Sequence, residues 1–113
     1  MIIFPFGFYI LDGQFPIYVG NDLEAQNIVR AWMEANPEKV RLRFDRLGCT
    51  QILTKFLGWN TGSRASRMDQ EPLLFETIMD RDGEIPVRRL YSDYEAALAG
   101  HAELVDIAKS RLH

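Results

Sequence analysis

The sequence predicts an α+β domain: an antiparallel sheet of four to six strands, with two helices packed on one of its faces. Asp12-Gly13 and Asp82-Gly83 put turn signals between short β-rich runs, which favours hairpins, because parallel strands need long crossovers. Val40-Arg41-Leu42-Arg43-Phe44-Asp45 alternates apolar and charged residues without a break, the pattern of a sheet with one buried and one wet face. Two longer stretches repeat apolar residues at helical spacing and supply the cover for the buried face.

The first strand is expected over residues 6–11, rich in aromatic and β-branched side chains, and a second over 16–19, placed at an edge by Pro16. Asn21 is the expected cap of the first helix, with Glu24 three residues on. Ala25, Ile28, Val29, Trp32 and Met33 form its apolar stripe, and it ends before Pro37, because a residue preceding proline avoids the helical region. Trp32 is either a stacking platform or a core residue, and its place on the stripe favours the core.

In the alternating strand Val40, Leu42 and Phe44 are expected to point to the core, with Arg41, Arg43 and Asp45 on the other face. After a break at Leu47-Gly48 the next strand, residues 51–59, puts Lys55 opposite in phase to Ile52, Thr54 and Phe56. Residues 60–70 are the longest stretch without an apolar pattern and contain Arg64 and Arg67; polar loops of this length are either functional or plain connectors.

The run over residues 71–79 is the densest apolar segment outside the amino terminus, interrupted by Glu76. A strand over residues 85–90 follows, its Pro86 again marking an edge. Ser92-Asp93-Tyr94-Glu95 reads as a capping box with serine at the cap. The second helix then carries Tyr94, Ala97, Leu98, His101, Leu104, Val105 and Ala108 on its apolar stripe. Gly100 inside it costs roughly 1 kcal/mol against alanine, which points to a close backbone approach there.

The 113 residues fit a single domain, 1–113, able to bury about two-thirds of its unfolded surface without a disulfide or metal. One cysteine, Cys49, excludes an internal disulfide and any cysteine-rich zinc site. It favours a reducing, intracellular compartment, and the cytoplasm is the expected location. The apolar amino terminus holds no basic residue and is broken by Pro5 and Gly7, unlike a signal peptide, and no run has the length of a membrane helix. Net charge is −3, but unevenly spread. Residues 39–67 hold seven bases against Asp45 alone, between acidic flanks. That centre is a candidate binding face built from Arg41, Arg43, Lys55, Arg64 and Arg67, or a charged strand pair that is simply solvated.

Four stretches, Phe56-Leu57-Gly58, Pro72-Leu73-Leu74-Phe75-Glu76-Thr77, Arg89-Leu90-Tyr91-Ser92 and Glu95-Ala96-Ala97-Leu98-Ala99-Gly100-His101, resemble a family of small proteins of uncharacterised function encoded in tailed-phage and prophage genomes. With weaker echoes at Ala31-Trp32 and Tyr9-Ile10-Leu11-Asp12, the resemblance covers about two-thirds of the chain. The family often has Leu-Asp-His after Phe-Leu-Gly, where this chain has Trp59-Asn60-Thr61, so no role of that histidine carries over. The resemblance implies phage or prophage origin and supplies no activity.

No catalytic residue is assigned. The chain has no Gly-x-Ser-x-Gly, Walker or His-Glu-x-x-His motif, and its two histidines, one of them His113, offer no histidine-based metal site and imply no cofactor. Glu76 and His101 are a candidate buried polar pair, either a general base or a satisfied core hydrogen bond. The reading that follows is a phage accessory protein acting by non-enzymatic binding to a host or phage macromolecule, with inhibition of a host defence system as its sharper form. The alternatives are a nucleotide or nucleic-acid binder using the basic strands, and an enzyme using Glu76 and His101.

Overall fold

Three antiparallel hairpins are the building units of the computed structural model, which describes residues 5–60 and 72–111. Strands β1 (Gly7–Asp12) and β2 (Phe15–Gly20) form the first, closed by a two-residue turn. Gly13 at φ 62° occupies the left-handed region that such a turn requires. Strands β3 (Arg41–Leu47) and β4 (Thr50–Phe56) form the second, with Gly48-Cys49 as its turn. Strands β6 (Phe75–Arg81) and β7 (Val87–Tyr91) form the third, and the two-residue β5 (Trp59–Asn60) pairs with β1.

The strands divide between two sheets, ordered β2-β1-β5 and β3-β4-β6-β7, so the antiparallel α+β class holds. Pro16 lies within edge strand β2 and Pro86 precedes edge strand β7, since a residue without an N–H cannot serve an inner ladder. Strand β6 is central, paired to β4 through seven residues and to β7 through five.

Helix α1 (Leu23–Ala35) lies on the three-stranded sheet, where Ala25 and Val29 pack with Phe8. A one-turn helix, α2 (Pro37–Val40), intervenes before β3, so Val40 is helical rather than the start of a strand. Helix α3 (Tyr94–Ser110) covers one face of the four-stranded sheet, packing Leu104 and Ala108 on Ile52 and Met79. A third cluster joins the sheets: Tyr9 and Leu11 meet Phe56, Leu74, Phe75 and Ala97. Trp32 reaches it from α1, its ring edge-on to Phe56 at 6.0 Å, so Trp32 is core and both helices reach the same side of β4.

Both caps sit one residue later than the sequence suggested. Asp22, not Asn21, accepts from the Ala25 N–H at 2.8 Å, and Asp93, not Ser92, accepts from the Ala96 N–H at 2.7 Å. In each case an aspartate competes with its neighbour and presents the ionised oxygen to the positive end of the helix. Ile28, expected on the α1 stripe, is exposed. No described helix is long and apolar enough to cross a membrane.

Candidate binding face and a buried polar relay

A bulge at Leu42 decides what each face of the large sheet presents. Arg41 pairs with Lys55 and Arg43 with Thr54, so two residues advance on β3 for one on β4. Beyond it, side chains that the simple alternation sent outward turn inward, because a slip of one residue exchanges the faces. Phe44 stands opposite Leu53 on the face away from α3 and is 56% exposed. Arg43 and Asp45 stand beside Thr54 and Ile52 on the face that α3 covers. The expected inward Phe44 and outward Arg43 and Asp45 are thus corrected.

On the open face Phe44, Leu53, Ile78 and Arg88 form one cross-strand row, and Arg41, Lys55, Glu76 and Leu90 line up beside it. Arg46, Gln51 and Asp80 make a third row. Glu76 is only 2% exposed. Its Oε1 lies 3.7 Å from Lys55 Nζ, and Arg88 Nε donates to its Oε2. Both cations remain partly in solvent. The face is therefore an apolar centre ringed by Arg41, Arg46, Lys55 and Arg88, with Glu76 holding two of the four cations in place. Arg64 and Arg67 lie outside the described residues.

The α3 face holds a different polar group. His101, 1% exposed, places Nδ1 at 2.8 Å from Thr54 Oγ1 and Nε2 at 2.7 Å from Asp45 Oδ2. Thr54 Oγ1 continues to Thr77 Oγ1 at 2.6 Å. The Asp45 carboxylate can only accept, so Nε2 carries a proton toward it; in a neutral ring Nδ1 then accepts from the Thr54 hydroxyl, whose oxygen accepts in turn from Thr77. Every member is satisfied, and the chain ties β3, β4, β6 and α3 together. No protein-family model, curated protein or solved structure matches this chain.

Glu76 and His101 therefore do not meet: the strand phase puts Glu76 on the open face and His101 against Thr54 on the other. The imidazole has instead the partners of an activated hydroxyl, a threonine on one side and a carboxylate on the other. Thr54 is 0% exposed, packed between the sheet and α3, so no substrate atom reaches its Oγ1. Among the described residues no group of three or more histidine, cysteine or acidic side chains is arranged to hold a metal. Cys49 is an exposed thiol on the β3–β4 turn.

Thr54 and Thr77 escaped sequence reasoning, although a signal existed: each sits in strand phase with buried apolar neighbours, Ile52 and Phe56 for one, Phe75 and Met79 for the other. A hydroxyl in core phase announces a hydrogen-bond partner.

Proposed function

We propose that this chain is a small phage or prophage accessory protein that acts without catalysis, by binding a host or phage macromolecule through the open face of its four-stranded sheet. The observation that supports it best is Phe44, Leu53 and Ile78 running across three strands, with Phe44 largely in solvent and four cations around them. An apolar centre inside a polar, charged rim is the anatomy of a protein interface, and exposed apolar side chains gathered on one face mark such sites. The charge balance, four cations against Glu76 and Asp80, suits an acidic partner surface. The resemblance to phage-encoded proteins supports a host target, with inhibition of a defence system as the sharper form of the reading.

Affinity capture from a bacterial host with wild-type bait and with Phe44→Ala and Arg41→Glu baits tests this. A partner retained by the wild type and lost from both variants supports the reading; equal retention by all three removes the face from it. Arg43→Glu is the internal control, because Arg43 lies on the covered side and its reversal leaves binding intact.

A nucleotide or nucleic-acid ligand is the second reading, favoured by an exposed aromatic ring among arginines, since bases stack on such rings while phosphates take the cations. Binding of a single-stranded oligonucleotide that falls steeply as salt rises, and that Phe44→Ala weakens, would select it over the protein partner.

A further inference from the structure

The β1–β2 turn and the start of α3 enclose a groove of about 350 Å³ that shares no residue with the open sheet face. Phe15, Pro16, Pro72 and Tyr94 give it an apolar wall, and Phe15 is 73% exposed. Among the described residues its only charged lining groups are two carboxylates, Asp93 and Glu95. Asp93 is anchored there by its helix cap, Oδ1 accepting from the Ala96 N–H at 2.7 Å. We propose that this groove docks an extended, proline-containing peptide segment of a partner protein, with an arginine or lysine next to the proline.

Three features select that occupant. Two rings and two ring-locked prolines make a stiff apolar wall, and such walls suit the polyproline II conformation, which is already ordered before it binds. Two carboxylates, with no base among the described lining residues, attract a cation and repel phosphate or an acidic segment. Gln14 and Ser92 also line the groove and supply amide and hydroxyl groups for peptide carbonyls, which polyproline II leaves without internal partners. The volume falls within the roughly 300–1,000 Å³ of ligand pockets, at the end that holds a few side chains rather than a helix.

The test is a titration of the ¹⁵N-labelled full chain with three synthetic decapeptides: one of prolines interrupted by two arginines, one with glutamates in place of those arginines, and one with glycines in place of the prolines. The proposal expects saturable shifts of the Phe15, Ser92, Tyr94 and Glu95 amides with the first peptide, and at least tenfold weaker binding of the other two. Phe15→Ala and Glu95→Lys, both at exposed positions, should each weaken the first peptide at least tenfold while circular dichroism stays unchanged. Absence of shifts at these amides at millimolar peptide overturns the proposal. So does equal affinity for the arginine and glutamate peptides, and so does free arginine amide binding as well as the peptide, which would mark a small-cation site.

Discussion

Asp45 Oδ2 lies 2.7 Å from Nε2 of His101, joining an edge strand to the middle of the helix that covers the sheet. Fifty-six positions separate the two in the chain. The contact exists because the bulge at Leu42 turns Asp45 inward. From His101 the hydrogen bonds continue through Thr54 to Thr77, so four elements share one network.

Thr54→Val breaks that network at its middle. It strands the His101 Nδ1 acceptor and the Thr77 hydroxyl without adding volume, and should cost about 1–3 kcal/mol in urea unfolding. Thr77→Val alone should cost less, since it removes an end rather than a link. The double variant should cost less than the sum of the two, because the second substitution removes a group the first has already orphaned. Strict additivity would mean that the hydroxyls do not act on one another.

Glu76 predicts an asymmetry. Glu76→Gln releases Lys55 and Arg88, which already reach solvent and can hydrate, so stability should fall by only about 1 kcal/mol. Replacing both cations with methionine leaves a buried carboxylate unpaired and should cost about 3–5 kcal/mol. Urea midpoints of the two variants compare them directly, and equal losses would contradict the assignment of burial to the carboxylate alone.

Gly100 faces Tyr91 across the α3–β7 contact, and a Cβ added there would overlap the tyrosine hydroxyl and ring. Gly100→Ala should therefore destabilise the chain by about 1–3 kcal/mol, although alanine is the better helix former by about 1 kcal/mol. A rise in thermal midpoint would show that the Tyr91 ring moves aside freely.

Tyr9 sets a pH dependence at the alkaline end. Burial, the largest influence, raises its pKa above the ordinary 10.0; a hydrogen bond with Asn60 opposes this, and Tyr18 adds to it. Above the unfolded pKa the unfolded chain releases this proton while the folded chain keeps it. Its stabilising contribution is thus complete below about pH 10 and lost as pH rises through the folded value, at no more than about 1.4 kcal/mol per pH unit. Tyr9→Phe also loses the bond its hydroxyl donates to the Pro5 carbonyl at 2.7 Å, so it should start less stable and fall less steeply above pH 10. Parallel curves for the two proteins would remove Tyr9 as the source.

Local signals in the sequence carried the class, the hairpins, the edge positions of the proline-bearing strands and most of the α3 stripe. Turn glycines, prolines and helical periodicity act over a few residues, and Asp12-Gly13 and Pro37 needed no distant partner to be read. The faces of β3 were different. Alternation gives a phase only while the pairing partner advances in step, and nothing within Val40–Asp45 marks Leu42 as the extra residue. Once the phase was misassigned, Asp45 was lost as the partner of His101, and Glu76 stood in its place. Glu76 pairs with Lys55 and Arg88 rather than with His101, and these cations come from two other strands that no local pattern connects to it. The third strand of the small sheet, β5, has two described residues, too few to carry a pattern.

The same bulge at Leu42 also bears on how the molecule avoids its own copies. An outer strand with straight, unpaired backbone groups is a template for another chain. Here β3 is kinked and carries Arg41, Arg43 and Arg46, β2 contains Pro16, and β7 follows Pro86 and carries Arg88 and Arg89. These three outer strands are thus poor sites for strand addition, and growth into fibrils or sheet-to-sheet dimers along them is disfavoured. A partner bound through the sheet face proposed above would meet side chains rather than open backbone groups, so substitutions that retune that face need not open a path to aggregation.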